Sequence, residues 1–396
     1  MSWRESCKMD ERVRFIAAAN EGEWSMTALC EEFGISRKTG YKWLARYRAQ
    51  GAAGLEERSR APRTPGRSTP AHLVAAIEGL RRSRPSWGPR KIIAKLRTGE
   101  PEASWPSPST AGEILKRAGL VSKRRLHRRG PPRLGELTAP ERCNHVWGVD
   151  YKGWVRLGDG TRVEPLTISD GFSRYLLCAA ASAGTTYAEA RPLFERAFAQ
   201  HGLPDVIRSD NGSPFASTGV TGLTALGVWW IKLGIAHERI DPGCPQQNGR
   251  HERVHLTLLE AMRPPARDMA EQAARLDDFV KDYNEERPHE ALGQKPPASV
   301  YAPSPRQLPD HLPEPDYPAE AAPRKVRSNG EIKWRGDLVF VSTALVDEAV
   351  AVEETETGET TVRFFSAKLG VIDRKSGKLR RAEPPPKEAT APRAPA

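Results

Sequence analysis

The chain has 396 residues, with 61 Lys+Arg against 50 Asp+Glu, a formal charge of +11, and 33 Gly and 34 Pro. At roughly 150 residues per domain this length predicts two to four domains, with loops and linkers taking a large share. No stretch approaches the roughly 20 apolar residues that span a bilayer, and the charged start MSWRESCKMDERVRF has no signal-peptide core. The five cysteines (Cys7, Cys30, Cys143, Cys178, Cys244) are odd in number and form no CxxC pair, which excludes a disulfide framework and a thiolate zinc finger. A soluble, cytoplasmic protein is expected. The positive excess is uneven: residues 1–140 carry 28 basic and 14 acidic residues, and the remaining 256 carry 33 and 36. The first third is therefore the part that attracts a polyanion.

Residues 10–50 read as three short helices. Ser25 and Ser36 are N-cap residues, Gly34 stops the second helix, and Glu32-Phe33-Gly34-Ile35-Ser36 supplies the tight turn of a helix-turn-helix. The third helix would then be the groove reader, with Arg37, Lys38 and Thr39 in its first turn and Lys42 and Arg46 further along. The competing reading is a three-helix bundle with a solvated basic face. A Gly/Pro/Arg-rich linker follows, then a second helical block opened by Ala71, by Trp87-Gly88-Pro89 and by Pro108-Ser109-Thr110, which predicts a second helix-turn-helix. Arg90 and Lys91, just after Pro89, join the DNA-contact candidates. The run 122–133 holds six basic residues, among them Lys123, Arg124, Arg125, Arg128 and Arg129. That charge is too dense for a core and predicts a tether lying along DNA.

From Cys143 the pattern changes to VWGVDYKGWVRL, TRVEPLTIS and RYLLCAAAS, three strand candidates joined by Gly/Asp turns. A helix over 186–201, the strand DVIRSD, a fifth strand AHERI and helices near 246–262 and 270–285 complete a mixed sheet flanked by helices. Residues 302–325 read as a Pro-rich linker, short strands after them predict a small β-barrel, and the Pro/Ala-rich end predicts a disordered tail. The expected organisation is a helix-turn-helix domain (1–55), a linker (56–70), a second helix-turn-helix (71–121) and a basic tether (122–142). A mixed-sheet core (143–301), a linker (302–325), an SH3-like β-barrel (326–385) and a tail (386–396) follow.

Two carboxylates fall where such a sheet would present them. Asp150 interrupts an apolar strand, which is costly unless the charge binds something. Asp210 ends the fourth strand before Asn211-Gly212, although Asp-Asn-Gly is also a common turn. Glu252 enters the first turn of a helix after a Pro/Gly-containing loop. Three acids from distant segments, meeting at one point, would suit two magnesium ions, which prefer oxygen ligands and can clamp both oxygens of an in-line phosphoryl displacement.

The strings WGVDYKGW, TISDGFSRY, RSDNGSPF, CPQQNGRHERVH and YNEERPHEALGQKPPASVY, in that order, resemble those of bacterial insertion-sequence transposases, whose catalytic core is similar to that of retroviral integrases. The resemblance covers roughly residues 143–301. It implies a ribonuclease-H-like core with catalytic and metal-binding Asp150, Asp210 and Glu252, magnesium with manganese as substitute, and cleavage of transposon-end DNA followed by strand transfer into target DNA. It also implies a multimer acting on the bacterial nucleoid. Forty-one residues separate Asp210 from Glu252, more than in many integrase-like cores. Leucines stand where many relatives carry basic residues after the glutamate, so Arg250 and Arg253 are expected to take over the DNA contact.

His251-Glu252-Arg253-Val254-His255 also matches the HExxH zinc-protease pattern, but Gln-Gln-Asn-Gly-Arg before it reads as a loop rather than a helix body. Asp170 is expected to be structural, His237 and His289 to pack, and Trp229-Trp230 to be core or a partner surface. A DNA-binding repressor or bridging protein with an inert core is the rival reading, and the intact acids argue against it.

Overall fold

A computed structural model of the chain describes residues 7–58, 68–121, 137–355 and 358–381, apart from the side chains of Pro245, Gln246, Arg250 and Glu252. The expected tether cations Lys123, Arg124, Arg125, Arg128 and Arg129 and the tail lie outside the described residues. Contacts divide the chain into two units, Met1–Thr69 and Pro70–Ala396.

The first unit contains α1 (Lys8–Glu21), α2 (Met26–Glu32) and α3 (Arg37–Gln50). Ser25 Oγ accepts from the Ala28 amide and Ser36 Oγ from the Thr39 amide, both at 3.3 Å. Each cap satisfies one of the amides that a helix start leaves open. Gly34 takes φ +60° at the turn, a backbone region that glycine enters without steric cost. Phe15, Ile16, Leu29, Cys30, Trp43, Leu44 and Leu55 form the core. The helices approach closely at Gly40, where a Cβ would stand 2.6 Å from Cys30 Sγ.

The second unit opens with α4 (Ala71–Ser83), α5 (Pro89–Gly99) and α6 (Pro108–Arg117). These pack around Leu73, Ile77, Trp87, Ile92, Ile93, Trp105, Ile114 and Leu115. The mixed sheet follows: β1 (Val146–Tyr151), β2 (Val155–Arg156), β3 (Arg162–Asp170), β4 (Leu176–Ser182), β5 (Val206–Ser209) and β6 (Ala236–Arg239). The expected single strand 146–157 is two, broken at Gly153 with φ +84°. β3 lies between β4 and β1 and is antiparallel to both, whereas β1, β5 and β6 run parallel. The parallel pairs need crossovers, supplied by α7 (Tyr187–His201) and α8 (Ala225–Lys232).

The alternation of β1 decides which face does what. Trp147 and Val149 point toward α7 and α8, into a core with Phe194, Phe198, Trp229 and Trp230. Both tryptophans of the Trp229-Trp230 pair are thus core residues. Gly148 and Asp150 take the other face, which is covered by α9 (Gly249–Ala261) and α10 (Met269–Lys281). There Leu176, Ala179, Val254, Leu258, Leu276, Phe279 and Tyr283 form a second core. Full burial of side chains of this kind contributes about 1.5–3 kcal/mol each.

Two expected linkers are partly stitched down. The Thr138 amide donates to Glu238 at 2.7 Å and Arg208 donates to the Thr138 carbonyl at 2.6 Å, so the end of the expected tether runs beside β6. Within the expected linker 302–325, the Ser304 amide bonds the His201 carbonyl at 2.8 Å, and Arg306 donates to the carbonyls of Pro204 and Leu233. This segment caps backbone groups left open after α7 and α8, which composition alone does not reveal.

The C-terminal part also differs from expectation. A five-stranded antiparallel sheet is built from β7 (Ala322–Lys325), β10 (Ala349–Glu354), β11 (Thr360–Phe364), β12 (Ala367–Ile372) and β13 (Leu379–Arg380), while β8 (Glu331–Trp334) and β9 (Asp337–Phe340) form a separate hairpin. Among the described residues β7 and β13 are the open edges of that sheet, so no closed barrel forms. Sheet and hairpin instead share a core of Val326, Ile332, Val339, Leu345, Val350, Val362 and Phe364, joined by Val228 from α8.

Candidate active site

Asp150 lies on β1 and Asp210 directly follows β5, the strand that pairs parallel to it. Val146 stands opposite Val206 and Gly148 opposite Arg208. Continuing that register two residues sets Asp150 level with Asp210, which directly follows β5, on strands about 4.8 Å apart. Both belong to the alternate set that includes Gly148 and Arg208, so they share the face covered by α9. Asp210 Oδ1 accepts from the Gly212 amide at 3.1 Å, and Asn211 donates to the Ile240 carbonyl at 2.7 Å, fixing the turn after β5.

The third acid, Glu252, is on the first turn of α9, and its side chain lies outside the described residues. Its flanking histidines are described. His251 is buried, with Nε2 2.6 Å from Thr167 Oγ1 and Nδ1 2.8 Å from Ser169 Oγ. His255, one turn on, places Nε2 2.8 Å from the same Thr167 hydroxyl and Nδ1 3.6 Å from Asp150 Oδ2. Thr167 Oγ1 also donates to the Asp150 carbonyl at 3.1 Å. A hydroxyl has one proton and two lone pairs, so with its proton spent on that carbonyl it accepts from both imidazoles. The network thereby assigns both histidines as neutral Nε2–H tautomers.

The electrostatics agree with this assignment. Burial is the main cause that pushes His255 down to about 4, with Lys152 adding to it, and burial with His255 beside it holds His251 well below its ordinary value. Both are uncharged near neutrality. The HExxH match is therefore an anchor and not a zinc site, because both ring nitrogens of His251 are engaged by hydroxyls of β3. Thr167 and Ser169 fall within the TISDGFSRY string, but nothing in it gave either a role. They occupy strand positions that look like ordinary polar alternation.

Asp170 is buried and accepts from the Asn144 amide at 2.8 Å and from Ser173 Oγ at 2.6 Å, a structural role as expected. His237 is held 2.8 Å from Ser209 Oγ and pushed down to about 4, first by burial and then by Arg239. Among the described residues no three His, Cys, Asp or Glu side chains gather into a metal-binding group.

The expected DNA contacts fall in three places. In the first unit Arg37 and Lys38 are exposed at the start of α3, and Thr39 is half-buried with its hydroxyl 2.9 Å from Ser36 Oγ. Lys42 and Arg46 lie over the Trp43 ring at 4.4 and 5.0 Å, with Arg12 from α1 over it at 3.9 Å. Arg12 was not among the sequence candidates, since its closeness to Trp43 depends on helix packing. On α5, Arg90 pairs with Glu290 at 2.7 Å and Lys91 is half-buried. On α9, Arg253 is exposed and the side chain of Arg250 lies outside the described residues.

Comparison with known proteins agrees with this architecture. Residues 140–245 and 233–297 match integrase core domain models, 11–63 a helix-turn-helix domain, 39–115 a homeodomain-like domain, and 321–380 the C-terminal domain of IS481 family transposases. An uncharacterized 39.2 kDa protein of insertion element IS476 from Xanthomonas euvesicatoria is 28% identical over 241 residues, covering 58% of this chain and 64% of that protein. A 31.7 kDa protein of IS407 from Burkholderia multivorans is 27% identical over 241 residues, covering 58% and 80%. The match thus spans just under two thirds of the first relative. The HTLV-2 integrase catalytic core domain in complex with magnesium aligns over 41% of this chain and 99% of that one, at 17% identity and a TM-score of 0.31.

Proposed function

We propose, from the premise that this chain is a bacterial insertion-sequence transposase with an integrase-like core, that it binds transposon-end DNA, cleaves it and joins its 3′ ends to target DNA. The observation that supports the reading is the parallel β1–β5 register, with Gly148 opposite Arg208 two residues before Asp150 and Asp210, and with residue 252 in the first turn of the helix that covers this face. Three carboxylates form a hard oxygen donor set that fits magnesium, with manganese as substitute. A pair of such ions, when bound, would activate the attacking oxygen and stabilise the leaving one.

The chain's own groups would do the rest. Asp150, Asp210 and Glu252 would hold the ions rather than attack phosphorus, so no protein–DNA covalent bond would form. In cleavage a water oxygen bonds the scissile phosphorus as the 3′-oxygen leaves. In joining, that DNA 3′-hydroxyl bonds a target phosphorus as the target's own 3′-oxygen departs. His251 and His255, bonded to Thr167, set the position of α9 against β1. Arg37, Lys38, Thr39, Lys42 and Arg46 on α3, with Arg250 and Arg253 on α9, would contact DNA. No described helix is long and apolar enough to cross a membrane. Action on two DNA ends calls for a homo-oligomer, in the bacterial cytoplasm at the nucleoid.

The test is strand transfer in magnesium with end DNA and the variants Asp150→Asn, Asp210→Asn and Glu252→Gln. Each should abolish cleavage and joining and leave end binding intact. Normal joining by any of them refutes the assignment, and a wild-type chain that bridges DNA without cutting it would make this a binding protein with an inert core.

A further inference from the structure

The β2–β3 hairpin follows β1 after the turn at Gly153 and carries an aromatic ring and two arginines that the candidate active site does not use. Its inner side is fixed. Leu157 and Val163 are buried with Ala266, and the Gly158 and Asp159 amides donate to the Ala266 and Arg267 carbonyls at 2.8 and 2.9 Å. Alternation sends Trp154 and Arg156 to the opposite side, away from α9 and α10. There Arg156 stands directly opposite Arg162, and the Arg162 guanidinium lies 5.0 Å from the centre of the Trp154 ring. Trp154 is nevertheless 54% exposed, so the guanidinium covers one face of the indole and leaves the other to solvent.

Both features cost stability in a surface that meets only water. An indole left exposed forgoes the gain of burial, and like charges directly opposite on an antiparallel pair repel. Glu164 takes Arg162 at 2.7 Å, and Arg156 is the member of the pair without a carboxylate within ion-pair distance among the described residues. A base stacked on the open ring face and a phosphate on Arg156 would offset both costs. Base faces are covered by their neighbours in a duplex and free in an unpaired strand, so an aromatic ring beside cations suits single strands. Acidic side chains of a protein partner would answer the arginines but not the ring.

We propose that Trp154, Arg156 and Arg162 form a seat for one unpaired nucleotide of DNA, separate from the candidate active site. The seat rests on the transposase reading, which supplies DNA as the polyanion. Thr167 stands opposite Asp150 and Val163 opposite Val155, so the seat lies about 13 Å along β3 from the level of Asp150. It is on the sheet face away from α9 and therefore grips a part of the strand other than the reacting phosphate.

The experiment measures binding to the full chain by fluorescence anisotropy without magnesium, with oligo(dT) and a mixed-sequence duplex of the same length as probes. Trp154→Ala should weaken oligo(dT) binding by about tenfold and leave duplex binding unchanged, whereas Trp154→Phe keeps a ring and most of the affinity. Arg156→Gln should lower the slope of log affinity for oligo(dT) against log salt by about 0.7, the effect of one single-strand phosphate contact. Oligo(dT) affinity that is unchanged in Trp154→Ala, or that falls no more than duplex affinity, overturns the proposal. A polyglutamate peptide that competes with oligo(dT) and loses as much affinity in Trp154→Ala would mark an acidic-protein surface and overturn it as well.

Photocrosslinking of the wild-type chain to oligo(dT) carrying 5-iodouracil, read by mass spectrometry, needs no substitution. Adducts within residues 152–163 are expected, and adducts confined to other parts of the chain overturn the seat. A chain that joins DNA ends normally but fails these tests loses the seat alone. One that passes them but cannot cut DNA loses the catalytic reading alone.

Discussion

Replacing Thr167 by valine removes one hydroxyl and almost no volume, so the substitution isolates the network that seats α9. The wild-type hydroxyl accepts from His251 Nε2 at 2.6 Å and His255 Nε2 at 2.8 Å and donates to the Asp150 carbonyl at 3.1 Å. Both imidazoles are buried, at 1% and 6% exposure, so each N–H loses its partner where water does not replace it. A buried donor left unsatisfied costs about 1–3 kcal/mol, which gives about 2–6 kcal/mol for the pair. Part of this is recovered if His255 moves its proton to Nδ1 and turns to Asp150 Oδ2, now 3.6 Å away. A net loss of about 2–4 kcal/mol is therefore expected. Urea denaturation followed by circular dichroism measures it. Thr167→Ser keeps the hydroxyl and should lose less than about 1.5 kcal/mol, the cost of one buried methyl. Stability of Thr167→Val within about 0.5 kcal/mol of the wild type would refute the hydroxyl-anchor argument.

Two further outcomes follow from the buried imidazoles and from Gly148. His237, His255 and His289 sit at about 4 and burial holds His251 well below its ordinary value, so the unfolded chain binds more protons than the folded one as pH falls from 6.5 toward 4. The stability tied to these neutral rings is complete above pH 6.5. It declines by about 2 kcal/mol per histidine at pH 5, and a thermal midpoint that stays flat between pH 7.5 and 5 would contradict it. Gly148→Val should disturb α9 more than Gly148→Ala, because even a Cβ there meets His251 Nδ1 at 3.3 Å and Asn248 Oδ1 at 3.5 Å. Loss of strand transfer exceeding loss of DNA binding in the valine variant is the expected pattern, and equal activity in both variants counts against close packing at this position.

Much of the catalytic unit was legible because its signals are local. Ser25 and Ser36 cap helices through their own side chains, and Asp150 and Asp210 stand out against apolar strands. What stayed hidden depends on partners distant in the chain. Arg90 reads as a groove-facing cation until Glu290, 200 residues on, is placed beside it. Residues 302–308 read as linker until Arg306 is seen capping the ends of α7 and α8. The even spacing of short strands after 325 is the same for a closed barrel and for an open sheet plus hairpin. Closure depends on whether the edge strands pair, which spacing does not encode.

The anchoring of α9 bears on how such chains diverge. Each added helical residue turns a side chain by about 100°, so the direction of Glu252 depends on the phase of α9 and not on how much chain precedes it. That phase is set by two imidazoles on one hydroxyl of β3. The stretch between Asp210 and Gly249 can then gain or lose residues without turning α9, because the loop carries length and the histidines carry angle. The interval of forty-one residues becomes a free variable, and the motif to follow across related sequences is the histidine pair that brackets the glutamate together with the threonine it grips.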